Sequence, residues 1–233
     1  MQKNVMKKSL RYAFKRSIPI MIGFFTVGVA YGIMMHDAGL GIGWTALSSL
    51  FVYAGSLQML MITFFKTSMP LITVAVTALL LNSRHLFYGI SFIGKFKEYG
   101  AWKYFLIYGM PDESYSLLCS YVPVGGVSEK WVHIFSTAFI WIYWIAFSVL
   151  GGVIGDMIPF DTSGIDFALT ALFIVILIDG LKNTKSKLPF VIAAASSAIC
   201  LALFGADNFL LPSLSATVAA LMILKGKVET ENE

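Results

Sequence analysis

Charged residues are scarce in this sequence: they fill 13% of its 233 positions, whereas soluble globular domains carry roughly 25%. There are only two cysteines and three histidines. Cys119 and Cys200 lie far apart in apolar segments, and the histidines lack the spacing of metal ligands. The sequence therefore predicts no metal site and no cofactor. The connections between apolar segments are also too short to hold a soluble domain.

Hydrophobic residues make up 58% of the chain. A bilayer core of about 30 Å needs roughly 20 apolar residues per helix, which predicts an all-α membrane protein, a polytopic bundle of about 6–8 transmembrane helices. These helices would form one transmembrane domain, 18–224, followed by a polar tail, 225–233. The candidate spans are 18–35, 44–65, 71–93, 104–122, 132–154, 166–181, 188–204 and 208–224.

Six basic residues and no acidic one precede the first apolar run. An excess of Lys and Arg is typical of cytoplasmic ends, so residues 1–17 are predicted to be a basic cytoplasmic segment. The net charge of +4 then indicates a membrane surface rather than nucleic acid. If all eight segments cross, the C-terminus is also cytoplasmic, but Lys95, Lys97 and Lys103 fall outside. Either an earlier segment does not cross fully, or this loop is an exception.

Polar side chains inside the spans are the candidate functional residues, because a charge at mid-bilayer costs about 2.5–3.5 kcal/mol on insertion scales. In "LNSRHLFYG", residues 81–89, Arg84, His85 and Tyr88 share one helix face and Asn82 lies beside it. Such a face is typical of a polar cavity. The alternative is that Arg84 lies near the helix end and extends its guanidinium to the membrane surface.

A proline interrupts the predicted span 104–122. In "YGMPDESYS", Pro111 suits the first position of a new helix, where Asp112 and Glu113 would occupy the favourable first turn. We therefore predict a broken helix near 109–111, with two acids at the break. The alternative is a loop that joins an interfacial segment to a short helix.

Small residues interrupt the predicted span 44–65 in the same way. In "YAGSLQ", Ala54, Gly55 and Ser56 form the interruption and Gln58 follows. Unwound backbone within a membrane lines a cavity or is buried in protein, so a second break is predicted near 54–56. The alternative is a small-residue packing patch with Gln58 bonded across helices.

Together these groups suit a small polar or zwitterionic solute. Its carboxylate would meet Arg84 or the amides of the broken helices, and its ammonium would meet Asp112 or Glu113. A titratable acid or His85 would carry a proton. Asp166, at the start of a later span, is a further candidate for the proton path or a simple helix cap.

Five segments resemble successive motifs of the AzlC family, in the family's order. They cover residues 17 to about 173, and beyond 181 the chain is only hydrophobic. The asparagine–x–arginine–histidine motif and the aspartate–glutamate pair are specific in combination. The segments are "SIPIMIGFFTVGVAYG", "FVYAGSLQML", "LLLNSRHLFYG", "MPDESYSLL" and "GIDFALTALF".

The AzlC family comprises the large subunits of branched-chain amino acid exporters. The resemblance implies a subunit of a two-part permease in the plasma (inner) membrane of a prokaryote, with a small AzlD-like membrane protein as partner. Leucine, isoleucine, valine, methionine or toxic analogues such as azaleucine would be exported at the expense of the proton motive force. The predicted substrate-binding residues are Ala54, Gly55, Ser56, Gln58, Asn82 and Arg84. The predicted proton-coupling residues are His85, Asp112, Glu113 and Asp166.

Two other classes of protein stay open at this point. Ser56 and His85 would be the nucleophile and base of a membrane-embedded enzyme, although the chain lacks a G-x-S-x-G or H-E-x-x-H motif. A channel or a structural subunit of a membrane complex is the other alternative. A channel would neither depend on a proton gradient nor saturate with amino acid.

Overall fold

The structure is a computed structural model, and every regular element that it describes is a helix. The chain forms two compact units, Met1–Lys66 with Arg84–Ser163 and Thr67–Ser83 with Gly164–Glu233. The described residues are 2–67, 69–157, 174, 177, 178, 181, 182, 186–206 and 209–224. Their helices are α1 (Gln2–Asp37), α2 (Ile42–Phe51), α3 (Gly55–Thr67), α4 (Leu71–Lys97), α5 (Trp102–Tyr108), α6 (Asp112–Cys119), α7 (Glu129–Met157), α8 (Leu188–Phe204) and α9 (Leu210–Ile223).

The long helices α1 and α7 pack together and run in the same direction. Gly28 lies against Phe147, and Gly32 lies against the backbone of Ser148 and Gly152. A Cβ atom at Gly32 would overlap that backbone, so the close approach requires glycine. Because the partner number rises along both helices, they are parallel.

The starts of α1 and α7 lie at the same end of the first unit as the C-terminal end of α4. The Ser9 Oγ accepts a hydrogen bond from the Ser128 N–H at 3.0 Å, just before α7 begins. Lys95 of α4 pairs with Glu129 of α7, with Nζ and Oε1 2.6 Å apart. We call this end the basic end. The Arg84–Lys97 part of α4 therefore runs antiparallel to α1 and α7.

Helices α2 and α3 form a hairpin at the opposite end. Helix α2 begins beside Gly152 near the C-terminal end of α7, and the chain reverses at 52–54. Helix α3 begins beside Trp144, about two turns deeper along α7. At its far end Lys66 pairs with Asp37 at the end of α1, Nζ to Oδ2 3.5 Å. Because α3 returns to where α2 began, this first hairpin enters and leaves at one end.

Helices α5 and α6 form a second hairpin, which opens at the basic end. The Trp102 ring contacts Trp131 near the start of α7, with centroids 6.1 Å apart. The chain reverses at 109–111, and α6 returns toward the start of α7. Tyr121, just beyond α6, contacts His133 with ring centroids 5.7 Å apart. A helix followed by a hairpin thus occurs twice, in opposite directions: α1 with α2–α3, and α4 with α5–α6.

The two hairpins explain why the lysines near 95–103 did not fit an orientation in which all eight predicted segments cross. The predicted all-α membrane architecture is confirmed, and both breaks exist, the first at 52–54 rather than 54–56. The predicted spans 44–65 and 104–122, however, turn back instead of crossing. Because an earlier segment does not cross, Lys95 and Lys97 lie at the same end as the start of α1. Within the described residues, α1 and α7 are long and apolar enough to cross a membrane, and the bent α4 is a third candidate.

Residues 2–17 of the predicted basic segment form the first part of α1, which continues past residue 17. In the second unit, α8 packs against α9, and the Ser197 and Ser213 hydroxyl groups lie 3.1 Å apart. Asp166 and the tail 225–233 lie outside the described residues.

Candidate functional site

The tips of the two hairpins meet inside the first unit. The rings of Tyr53, in the first break, and Tyr108, the last residue of α5 before the second break, have centroids 6.0 Å apart. The Tyr108 hydroxyl also donates a hydrogen bond to the Leu50 carbonyl at the end of α2. Two helix breaks that approach from opposite ends therefore share one region, as the sequence alone did not reveal.

Arg84 of α4 bridges the two tips. Its Nη1 donates to the Asp112 carboxylate, at the first position of α6. Its Nη2 donates to the Ser56 Oγ, in the first turn of α3, at 3.2 Å. The structure thus brings together three predicted site residues from three separate segments. Arg84 and Asp112 are each 40% exposed, so solvent screens part of their attraction.

His85 is the second polar neighbour of Asp112. Its Nε2 lies 3.8 Å from the Asp112 Oδ1, on the carboxylate oxygen that Arg84 does not use. The imidazole contacts the Tyr88 ring at 5.8 Å, and Tyr88 stacks on Tyr115 of α6 at 4.3 Å. The polar face of α4 that the sequence predicts therefore points toward α6, where it contacts the Asp112 carboxylate and the Tyr115 ring.

We call the region where the two hairpin tips and Arg84 meet the junction. Several buried polar atoms at this junction have no hydrogen-bond partner among the described residues. They belong to the residues that form the two tips and the bridge. A buried unpaired polar atom costs about 1–3 kcal/mol, so a polar solute that bonds these atoms would recover that energy. The atoms are Arg84 Nε and Asp112 Oδ1, together with the Tyr53 hydroxyl and Ser114 Oγ, which are close to each other but outside good hydrogen-bond geometry.

Tyr53 also has an unusual backbone. Its φ of +42° lies in the left-handed region, which costs a residue with a side chain of this size about 1–3 kcal/mol. Among the described residues it is the only one other than glycine with a positive φ. Sequence reasoning missed Tyr53 and Ser114 as site residues; their only signal was a position beside a predicted break.

The first tip is held in place by Gln58, which is fully buried. Its Oε1 accepts hydrogen bonds from the Trp144 Nε1 at 2.9 Å and from the Ala54 N–H at 3.2 Å. Its Nε2 donates to the Ser49 Oγ at 3.4 Å. Gly55 lies against the same Trp144 ring. This geometry gives Gln58 a role in fixing the break, and its contact with a solute stays a prediction.

The remaining predicted site residues are less closely tied to the junction. Glu113 follows Asp112 in the first turn of α6 and is half-buried. Asn82 lies on α4 two residues before Arg84, in the part of that helix that belongs to the second unit. Asp166 lies outside the described residues.

Fold and site together define a polytopic membrane protein with an arginine-centred polar site between two opposed helix breaks. The family model described as "AzlC protein" matches residues 19–158, and the chain belongs to the AzlC family.

Three relatives illustrate the match. The "Branched-chain amino acid transport protein AzlC" of Bacillus subtilis is 35% identical over 95% of this chain and 87% of its own. An "Uncharacterized membrane protein" of Helicobacter pylori is 34% identical over 95% of this chain and 97% of its own. "Inner membrane protein YgaZ" of Escherichia coli is 24% identical over 85% and 81%. No solved structure matches the chain.

Proposed function

We propose that this chain is the large subunit of a secondary transporter that exports branched-chain amino acids, with methionine and analogues such as azaleucine as further substrates. The observation that carries the proposal is the bridge of Arg84 to Asp112 and Ser56, one on each hairpin tip. Broken helices at mid-membrane present charges and backbone dipoles to polar solutes in many transporters. The Bacillus subtilis relative, named as a branched-chain amino acid transport protein, supports the substrate class.

A zwitterion suits the charges at the junction. The substrate carboxylate would replace Asp112 or Ser56 as partner of the Arg84 guanidinium, and the ammonium would take the released Asp112 carboxylate. The stacked rings of Tyr88 and Tyr115 offer an apolar surface for the side chain. Exchanging one set of charge pairs for another avoids leaving a buried charge without a partner.

The opposed hairpins suggest how access alternates. Each tip reaches the junction from a different end, and Arg84 bonds to both. Release of one tip would open the site toward one end while the other tip stays closed. Helix-and-hairpin units in opposite directions are the kind of inverted arrangement that many secondary transporters use. In this proposal the substrate acts by changing which tip Arg84 holds.

Proton coupling would centre on Asp112, which Arg84 and His85 both approach. A proton on the Asp112 carboxylate weakens its bond to Arg84 and frees the guanidinium for the substrate. Glu113 and Asp166 are further predicted carriers. Inward proton flow would then drive outward movement of the amino acid.

The distribution of charge supports a cytoplasmic basic end. Lys and Arg residues concentrate there, on the start of α1, the end of α4 and the start of α5. The opposite end carries Asp37, Lys66 and Asp156. By the positive-inside rule the N-terminus is cytoplasmic in the inner membrane of a prokaryote. A small AzlD-like subunit is proposed as the partner that completes the transporter.

Efflux of radiolabelled leucine from preloaded cells tests the proposal. We expect saturable efflux that needs the small subunit and stops with a protonophore. Arg84→Ala should abolish it while the protein still inserts, and Lys97→Ala, which removes an exposed cation at the basic end, is the matched control. Efflux that ignores the protonophore and does not saturate would indicate a channel. Full efflux by the Arg84→Ala variant would overturn the role of the bridge.

A further inference from the structure

A groove at the basic end lies outside the polar junction. It has a cavity volume of about 690 Å³ and is formed by the first turns of α1 with one side chain of α7. Lys7, Lys8 and Arg11 supply its charged wall. Leu10, Phe14 and Phe139 supply its apolar wall. The groove is therefore amphipathic, because cations and apolar side chains both line it.

Within the part of the chain that the structure describes, no acidic side chain lies in the groove beside the charged wall. None of the residues that line the groove is acidic, and the sequence has no acidic residue before Asp37. Lys7, Lys8 and Arg11 are all exposed and lie within about one turn of helix. Three cations this close repel one another, and an anion with several acceptor oxygens, such as a phosphate diester, relieves the repulsion.

The apolar side chain of Phe14 lies deeper in the groove than all three cations. Helix α1 runs from the basic end into the unit, so Phe14 lies about 10 Å deeper than Lys7 at 1.5 Å per residue. The Phe14 and Phe139 rings contact each other edge to face, with centroids 5.5 Å apart. Phe14 is nevertheless 43% exposed and Leu10 40% exposed. A ligand with an anionic head and an apolar tail matches this order, whereas a free anion would use only the cations.

We propose that this groove binds an anionic phospholipid. Its phosphate lies on Lys7, Lys8 and Arg11, and the upper part of its acyl chains covers Leu10, Phe14 and Phe139. The proposal rests on the membrane location of the chain and not on the transported solute. A bound lipid would anchor the start of α1 beside α7 at the membrane surface, where a basic face over an apolar one is favoured.

Native mass spectrometry of the full chain, purified in a neutral detergent, tests the site. We expect phosphatidylglycerol to bind and phosphatidylcholine with the same acyl chains to bind at least tenfold more weakly. Each cation near an anionic lipid contributes roughly fivefold in affinity, so the triple variant Lys7→Gln, Lys8→Gln and Arg11→Gln should lose about 100-fold. The single variant Arg11→Gln should lose about fivefold and guards against misfolding of the triple.

A matched control removes the same charge elsewhere at the same end. The variant with Lys97→Gln, Lys103→Gln and Lys130→Gln should keep its affinity for phosphatidylglycerol within about threefold. An equal loss in this control would overturn the site and leave a general effect of net charge. Equal binding of the two lipids by the unaltered chain would overturn it as well.

The apolar wall distinguishes a lipid from a soluble anion. Phe14→Ser should weaken phosphatidylglycerol binding about tenfold, because the ring no longer covers the acyl chains. Glycerol phosphate, which has the head group alone, should not displace the lipid. Displacement by glycerol phosphate together with unchanged affinity in Phe14→Ser would show an anion site that does not recognise lipid.

Discussion

The two hairpins reach the same junction but are held in different ways. The first tip is fixed by neutral hydrogen bonds between the buried Gln58, Trp144 and the backbone of Ala54. The second tip is held through the charge pair of Asp112 with Arg84, at a place that is 40% exposed. A buried neutral network is rigid, whereas a partly hydrated ion pair exchanges partners more easily. The comparison suggests that the second tip is the one that moves first.

The largest expected effect is on cysteine labelling, which reports the side of the membrane from which each hairpin enters. We predict that Gly41→Cys, at the start of the first hairpin, and Ala101→Cys, at the start of the second, are labelled from opposite sides of the membrane. Both positions are exposed. In intact cells a membrane-impermeant maleimide should modify only Gly41→Cys if the basic end is cytoplasmic.

The labelling background carries Cys119→Ser and Cys200→Ala, so that each protein has one thiol. Permeabilised cells, in which both positions should react, supply the control for reactivity. Labelling of both positions from outside intact cells would contradict the opposed arrangement and leave two hairpins on one side.

The next largest effect is on the rate of leucine efflux, which distinguishes the contributions of the two partners of Arg84, Asp112 and Ser56. Asp112→Ala should reduce the initial rate of leucine efflux about 100-fold, because it removes the proposed proton carrier and the carboxylate that would receive the substrate ammonium. Ser56→Ala removes one neutral acceptor at 3.2 Å and should cost at most about tenfold. Surface expression of each variant is measured alongside. Equal losses would mean that the tips are not distinguished by charge, and a complete loss in Ser56→Ala alone would favour an enzymatic role for that serine.

These two contacts also show what the sequence was able to predict. Arg84, Asp112 and Ser56 were each identified because a polar group or helix-breaking residue is costly in an apolar segment. The cost of a polar group or a helix break in an apolar segment depends on the residue and its neighbours in sequence, so it can be judged from the sequence alone.

The reversal of the chain at each break was not predictable in the same way. The segment 44–65 has the same apolar composition whether its two helices cross the membrane or turn back. Only the misplaced lysines near 95–103 indicated that one segment does not cross. The left-handed backbone of Tyr53 was equally hidden, because tertiary contacts impose that conformation against the preference of the residue.

A smaller effect is expected on the free energy of unfolding, which compares how firmly each tip is attached. Gln58→Leu leaves the Trp144 Nε1 and the Ala54 N–H unpaired in a buried place and should lower the unfolding free energy by about 2–4 kcal/mol. Thr137→Ser removes only the methyl group that lies against Gly109 of the second tip, and should cost about 1 kcal/mol. Thermal unfolding in detergent measures both. A larger loss in Thr137→Ser would reverse the order of rigidity.

The smallest effect concerns the outer ends of the hairpins, where each returns to α1. Lys66 at the end of α3 pairs with Asp37 at 3.5 Å, and Arg16 of α1 donates to the Ser120 Oγ just after α6 at 2.6 Å. Asp37→Asn should lower the unfolding free energy by about 1 kcal/mol, since the Asp37 side chain is only 9% exposed. Ser120→Ala, at an exposed site, should cost less than about 0.5 kcal/mol. Raising the salt concentration should reduce the first difference and leave the second unchanged, because only the first involves two full charges. The same salt dependence in both variants would mean that the two hairpins are anchored alike at their outer ends, and the difference between them would then be confined to the tips.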